Sequence, residues 1–169
     1  EIRMETVFEA IHQSTIIKAM MEAHPYEEVA YDIYPLDNVY QKAGSGMIGY
    51  LENEMEEKDF LAHIKSTMKT SSIRHTRLTG KKVNKVAVCG GAGSFLLNDA
   101  INKGAQFFIS ADFKYHQFFD ADNRLVIADI GHYESEQFTK ELLFDLLKDK
   151  FPTFALHFTE INTNPVYYF

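Results

Sequence analysis

Ile2, Met4, Thr6 and Phe8 alternate with charged Arg3 and Glu5, the two-residue period of a half-buried strand over residues 2–8. The pattern then changes to a helical one. Ser14 is placed to cap a helix in which Ile16, Ile17, Met20 and Ala23 recur on one face, and Pro25 stops it. Val29 to Tyr34, rich in branched and aromatic residues, reads as a second strand. Met47 to Leu51, after Gly44 and Gly46, reads as its hairpin partner. Asn53 and Glu56 have capping-box spacing ahead of a helical face formed by Phe60, Leu61, Ile64 and Met68. Ile73 to Leu78 alternates again. The order strand, helix, strand, strand, helix, strand predicts a ferredoxin-like βαββαβ unit filling residues 1–79.

Gly80, Lys81 and Lys82 form a polar, turn-prone break, and a domain boundary is expected there. Beyond it, Val86 to Cys89, Phe107 to Ile109 and Leu125 to Ile130 are short unbroken apolar runs, as strands buried on both faces of a parallel sheet require. Two helical faces separate and follow them: Leu96, Leu97, Ala100 and Ile101, then Phe138, Leu142, Leu143, Leu146 and Leu147. Phe154 to Thr159 is expected to add a last strand. The predicted fold class is therefore α/β (α+β), with residues 80–169 forming an α/β half-domain behind the ferredoxin-like unit.

Composition narrows the function. The 169 residues carry a formal charge of −7, which argues against a nucleic-acid backbone binder, because that affinity comes from lysines and arginines displacing counterions. No run reaches the roughly 18 apolar residues of a membrane helix, and the opening EIRMETVFEA lacks signal-peptide anatomy, so a cytoplasmic location is expected. Cys89 is the single cysteine, so any metal site must use His, Asp or Glu. Opening on Glu1, with no initiator methionine, is the expectation for a fragment.

The strongest chemical signal is Asp129-Ile-Gly-His132-Tyr-Glu134-Ser-Glu136, where a buried strand gives way to a helix. Carboxyl ends of strands are where α/β sheets place ligands. If the helix begins near Tyr133, His132 and Glu136 project from one face and can share a metal; Glu134, two residues on, points elsewhere. An imidazole with a carboxylate suits zinc, iron or manganese. The competing reading is a solvated helix start whose glutamates favour the macrodipole.

Ser110-Ala-Asp112-Phe-Lys-Tyr-His116 follows another apolar run. Asp112 and His116 are again four apart, and two such pairs on neighbouring strand ends would converge on one crevice, with Asp112 or His116 serving in proton transfer or in support of a ligand. The equal competing reading has Asp112 capping the next helix and His116 as a surface or core histidine. Gly90-Gly-Ala-Gly-Ser94 lacks the residues of a phosphate-binding loop or dinucleotide fingerprint and reads as a tight turn. Cys89 reads as a buried small hydrophobe. Glu27 and Glu28 are consecutive on an extended chain and point to opposite sides, and His12, His63, His75 and His157 have no partner spacing.

Five stretches together, His24-Pro-Tyr-Glu-Glu-Val-Ala-Tyr-Asp-Ile-Tyr-Pro-Leu36, Gly44-x-Gly46-x-x-Gly49, Cys89-Gly-Gly-Ala-Gly-Ser94, Asp129-x-Gly-His132-Tyr-x-x-Glu136 and Thr163-Asn-Pro165, resemble the GTP cyclohydrolase 1 type 2 homologues, the Nif-three-like dinuclear-metal-centre proteins. The resemblance spans the chain in order. It implies that residues 1–79 are the family's inserted domain, related in shape to trimeric copper-tolerance and nitrogen-regulatory proteins, and that residues 80–169 are the second half of a metal-binding core. It also implies that His132 and Glu136 are metal ligands, with two divalent ions per complete site. The family's remaining ligands, an adjacent His-His pair and an Asp, have no match here, so this chain alone is expected to hold metal weakly or not at all. Ser110-Ala111 stands where many relatives have Thr-Gly. The activity implied is hydrolysis of a nucleotide or other small molecule by a homo-oligomer; the alternative is a non-catalytic metal-binding or regulatory oligomer.

Overall fold

A computed structural model describes residues 2–38 and 43–169. The chain divides into two compact units, residues 1–40 and 41–169. In the first, a single 3-10 turn, Ala10–His12, leads into helix α1, Gln13–Ala23. The helix lies where the spacing of Ile16, Ile17 and Met20 predicts it, but Ser14 sits inside it and no side chain caps its start. It ends at His24, whose ψ of 139° is the extended conformation a following proline imposes.

Residues 2–8 and 29–34, expected as strands, are not strands. Alternation says which face a strand would bury, but a strand also needs a partner for its N–H and C=O groups, and neither segment has a ladder among the described residues. Glu1 and Tyr40 lie outside the described residues.

The second unit is built on one five-stranded sheet. Its strands are β1 (Met47–Met55), β2 (Arg74–His75), β3 (Val83–Ala92), β4 (Phe107–Ala111) and β5 (Val126–Asp129), in the order β1-β3-β4-β5-β2. The three central strands run parallel, and both edge strands are antiparallel to their neighbours. The α/β class is thus as the apolar runs indicate. Phe107 and Val126 bury one way, against Phe60 and Ile64 of helix α2 (Glu57–Thr67), while Phe108 and Ile127 bury the other way, against Leu97 and Ala100 of helix α3 (Leu97–Asn102). Adjacent residues feeding opposite cores is why these strands read as unbroken apolar runs.

The elements expected to complete a ferredoxin-like unit belong to this sheet instead. β1 is no hairpin partner of residues 29–34; it pairs with β3, Met47 opposite Val88. β2 pairs with β5, Arg74 opposite Asp129. The polar stretch at Gly80 is a held turn: the buried Glu57 carboxylate accepts from the Thr79 N–H and hydroxyl at 2.8 and 2.7 Å and from the Gly80 N–H at 2.9 Å. Asn53 stays within β1 and takes no part in capping; Glu57 and Asp59 in the first turn and Lys65 in the last complement the dipole of α2.

Helix α4 (His132–Glu136) and helix α5 (Thr139–Lys150) follow the sheet. Leu142, Leu143, Leu146 and Leu147 of α5 form the expected face but are 43–60% exposed. Residues 154–159 are not a strand; Phe158 packs its ring on Phe144 at 5.7 Å. Among the described residues no helix is long and apolar enough to cross a membrane.

Candidate functional site

The carboxyl ends of β3, β4 and β5 lie side by side because the three strands are parallel. β3 ends in Gly90-Gly91-Ala92, β4 runs into Asp112, and β5 ends at Asp129 ahead of Gly131 and His132. A cleft of about 870 Å³ opens there, lined among others by Arg74, Asp112, His132, Glu134, Glu136 and Tyr168.

One imidazole joins the two sequence motifs. His132 Nδ1 is 2.6 Å from Asp112 Oδ2, and its Nε2 is 3.2 Å from Glu136 Oε2. A carboxylate only accepts, so Nδ1 carries a proton and Nε2 is the atom left for a ligand. The hydrogen bond from Asp112 raises the His132 pKa above its ordinary value; partial burial opposes this, and the charges of Asp112 and Glu136 add to the rise.

Backbone geometry puts these groups in reach. Asp112 adopts φ +58°, a left-handed conformation that Asp tolerates better than most residues, and this turns its side chain toward α4. Asp129, whose side chain is 3% exposed, accepts from the Phe113 N–H through Oδ2 at 3.0 Å and from the Gly131 N–H through Oδ1 at 3.2 Å. One buried carboxylate thereby ties the residue after Asp112 to the residue before His132. Arg74 pairs with Asp129 and also donates to the Phe113 carbonyl at 3.1 Å. Gly91, at φ +62°, donates its N–H to Ser135 Oγ at 2.8 Å; a Cβ there would sit 2.7 Å from Glu136 Oε1 and 3.1 Å from His132 Cε1, so only glycine allows this approach.

Of the residues singled out from sequence, the structure brings together His132, Glu136 and Asp112. His116 lies elsewhere, exposed on the 3-10 helix Tyr115–Ala121 with its ring 5.2 Å from Tyr115, and is not among the residues lining the cleft. The four-residue spacing of Asp112 and His116 does not act as a helical pair, because the helix starts only at Tyr115 and is 3-10. Asp112 does not cap it either; Lys114 precedes it, with its N–H held by Gln117 Oε1 at 2.8 Å. Cys89 is 7% exposed, donates toward the Ser45 carbonyl at 3.1 Å, and has its thiol pKa pushed up chiefly by burial, as a packing residue would. Sequence reasoning missed Asp129, Gly91 and Arg74. The first two lay inside quoted motifs, but their contacts join residues far apart in the chain.

Metal fit is judged on the donor pair. In the tautomer that Asp112 enforces, Nε2 and Oε2 turn lone pairs toward each other at 3.2 Å, an arrangement that calls for a proton or a cation between them. That separation suits neighbouring ligands on an ion with bonds of about 2.0–2.2 Å meeting near 100°. The carboxylate–histidine arrangement behind it is the usual support of a metal-binding imidazole. Among the described residues no third His, Cys, Asp or Glu converges on the same point. The chain therefore offers a fitting pair of donors and not a closed site.

Fold and site together define an α/β protein whose parallel-strand ends carry a carboxylate–histidine–carboxylate array over an open cleft. The family model described as Duf34/NIF3 (NGG1p interacting factor 3) matches residues 5–165, and the chain belongs to that family. It is 37% identical over 170 residues to the GTP cyclohydrolase 1 type 2 homolog of Bacillus subtilis, covering 98% of this chain and 45% of that protein. The namesake in Halalkalibacterium halodurans is 35% identical, with 98% and 45% covered. Among solved structures, a Bacillus cereus protein related to NIF3 superposes with a TM-score of 0.73 at 38% identity, covering 96% of this chain and 46% of that one. A Staphylococcus aureus protein gives 0.76 at 27% identity, with 98% and 55% covered. The chain thus spans about half the length of the curated relatives it matches.

Proposed function

We propose that this chain carries the histidine–carboxylate part of a divalent-metal site serving hydrolysis of a nucleotide or other small molecule. The observation behind this is the His132 imidazole held by Asp112 at Nδ1 with Nε2 beside Glu136 at 3.2 Å, at the mouth of an 870 Å³ cleft. His132 and Glu136 would hold the ion, taken as zinc, iron or manganese from the donor types. When bound, such an ion would supply Lewis-acid polarisation of substrate oxygens and activation of water.

The chain's own residues set the geometry. Asp112 fixes the tautomer and ring plane of His132, Asp129 holds the two backbone segments in register, and Gly91 lets Glu136 approach. Asp112 is in this reading a positioning residue. Relatives bear the name GTP cyclohydrolase 1 type 2 homolog, which makes purine nucleotides the first substrates to try. Metal-loaded protein is assayed for purine nucleotide hydrolysis beside a His132→Ala variant; the expected result is loss of turnover, and equal rates would remove His132 from the mechanism.

A second reading, a non-catalytic metal-binding or regulatory oligomer, draws on the first unit. There Ile2, Met4, Tyr26 and Tyr34 are 68–93% exposed, apolar and aromatic surface of the kind that interfaces cover. Any metal-dependent turnover eliminates the purely regulatory form of this reading.

A further inference from the structure

Gly91 is the floor beneath the His132 and Glu136 pair. A Cβ built on it would stand 3.3 Å from His132 Nε2 and 2.7 Å from Glu136 Oε1, so this stretch of backbone lies directly against both donors. The height of the floor therefore bears on how the two donors meet. A regular strand ladder does not set that height, because the register of β3 against β4 shifts between Val88 and Ala92, across Gly91.

Two serine hydroxyls hold Gly91 instead. Its N–H donates to Ser135 Oγ at 2.8 Å, and its carbonyl accepts from Ser110 Oγ at 3.0 Å. Ser110 is fully buried in β4, and Gly93 leaves room for its hydroxyl, since a Cβ there would meet that oxygen at 2.2 Å. Ser135 stands on α4 between the two donors in sequence. Its one hydroxyl proton goes to the His132 carbonyl at 2.8 Å, which leaves a lone pair for the Gly91 N–H. A serine within a helix bonds back to a carbonyl of the preceding turn for local reasons alone. The contact with Gly91, 44 residues away in the chain, has no such local reason. It joins the floor to the helix that carries both donors.

We propose that Ser135 is a positioning residue of the His132 and Glu136 pair: its hydroxyl holds Gly91 at the height that keeps Nε2 and Oε2 at a separation one divalent ion can bridge. The proposal rests on the reading of that pair as metal donors and adds a residue that is itself no ligand, since its hydroxyl is occupied by Gly91 and His132. Ser135→Ala leaves the Gly91 N–H without this acceptor and releases the floor on the side of α4. Ser135→Thr keeps the hydroxyl, and a threonine in a helix can make the same bond to the carbonyl three residues back.

Zinc is titrated into the purified chain and followed by nuclear magnetic resonance at the His132 ring, so that zinc held elsewhere on the surface does not count. Ser135→Ala is expected to weaken zinc binding at His132 about tenfold, in the range usual for residues that orient metal ligands, and Ser135→Thr to restore it. A second readout needs no metal. The nuclear Overhauser effect between the Gly91 α protons and the His132 Cε1 proton, close in the parent because a Cβ at Gly91 would lie 3.1 Å from Cε1, should weaken in Ser135→Ala and return in Ser135→Thr.

Equal zinc affinity of the parent and Ser135→Ala, or equal loss in Ser135→Ala and Ser135→Thr, overturns the proposal. A parent whose His132 signals do not respond to zinc overturns the metal reading instead, and the metal-free contact then decides whether Ser135 sets the floor: its retention in Ser135→Ala refutes that role. If circular dichroism shows Ser135→Ala unfolded, Ser110→Ala, which releases the Gly91 carbonyl, takes its place. Weaker zinc binding there supports the clamp on Gly91, and unchanged binding removes it.

Discussion

Asp112 Oδ2 meets His132 Nδ1 at 2.6 Å across the ends of two neighbouring strands, twenty residues apart in the chain. The contact keeps a proton on Nδ1 and so leaves the lone pair of the neutral imidazole on Nε2, the nitrogen that faces Glu136. Asp112→Asn keeps the shape and tolerates the φ of +58°, but its amide can donate as well as accept, so the tautomer is no longer enforced. Zinc affinity measured by competition with a chromophoric chelator should fall about 10–100-fold, the usual consequence of losing a carboxylate behind a metal-bound histidine. The fold should survive, since the Asp112 side chain is half exposed. Unchanged affinity would mean that the imidazole is oriented by other contacts.

Asp129 supports that pair from beneath. Its two oxygens take the N–H groups of Phe113 and Gly131, and Asn can accept only one of these while presenting an amide to the other. Asp129→Asn is expected to lower unfolding free energy in urea by about 1–3 kcal/mol, the penalty of a buried donor left unmet. It should also weaken zinc binding, because the Asp112 and His132 segments lose their common tether. A stable variant with parental zinc affinity would show that the strands alone fix the spacing.

The sequence announced the parallel core because residues buried on both faces leave a near-continuous apolar run, as at Phe107 to Ile109 and Leu125 to Ile130. His132 and Glu136 were legible for a similar reason: a helix places residues four apart on one face. The partner of His132 was only half legible. Asp112 stood out as a strand-end acid, yet its link to His132 depends on strand order and a left-handed backbone angle, neither of which is written as a local period. The same limit misplaced β1 and β2. The glycines ahead of Met47 and the alternation from Ile73 marked stretches that contain strands, but the partners, β3 and β5, are settled by the whole sheet. Gly80 to Lys82 looked like a linker because turns and linkers share a composition; the buried Glu57 that grips this one lies 23 residues earlier.

Glu57 makes acid sensitivity testable. Burial pushes its pKa up, but hydrogen bonds from Thr79 and Gly80, with a smaller contribution from the charge of His75, outweigh this and bring it below the ordinary value. A carboxyl depressed in the folded state stabilises the fold above the unfolded value of about 4.3, and that contribution fades as pH falls through the folded pKa. Glu57→Gln should lower stability by about 1–3 kcal/mol at neutral pH. Between about pH 5 and 3 the difference from the parent should shrink, because the parent carboxyl is then being protonated. Urea melts at pH 7 and pH 3 check both; a constant difference would show that the charge of Glu57 is not what holds the turn.

The first unit bears on assembly. Its helix α1 has no buried residue, and Tyr26, Tyr31 and Tyr34 are 45–70% exposed. Tyrosines combine apolar area with a hydrogen-bonding tip and are enriched where proteins meet. Symmetric packing of this region against copies of itself is the expected outcome, and light scattering at micromolar concentration should report a mass that is a multiple of 19.4 kDa. A strict monomer would count against it. Tyr34→Asp, which puts a charge on the surface, should shift the distribution toward the monomer.

Metal retention follows from counting donors. A stable divalent site usually has at least three protein ligands, and this chain brings two, His132 Nε2 and Glu136 Oε2, to one point. No third His, Cys, Asp or Glu joins them among the described residues. After dialysis against metal-free buffer, elemental analysis of the 169-residue chain should therefore find far less than one equivalent of zinc, iron or manganese. Zinc added back should bind weakly, and His132→Ala should abolish what binding there is, whereas His116→Ala, remote from the cleft, should change nothing. A version of the protein extended to the length of its relatives should retain about two ions per chain, the stoichiometry of two-metal hydrolytic sites. Stoichiometric retention by the 169-residue chain would mean that a further donor, from this chain or from a neighbouring copy, completes the site. Light scattering with and without zinc would then separate the two sources, because only a donor from a neighbouring copy makes the assembly depend on metal.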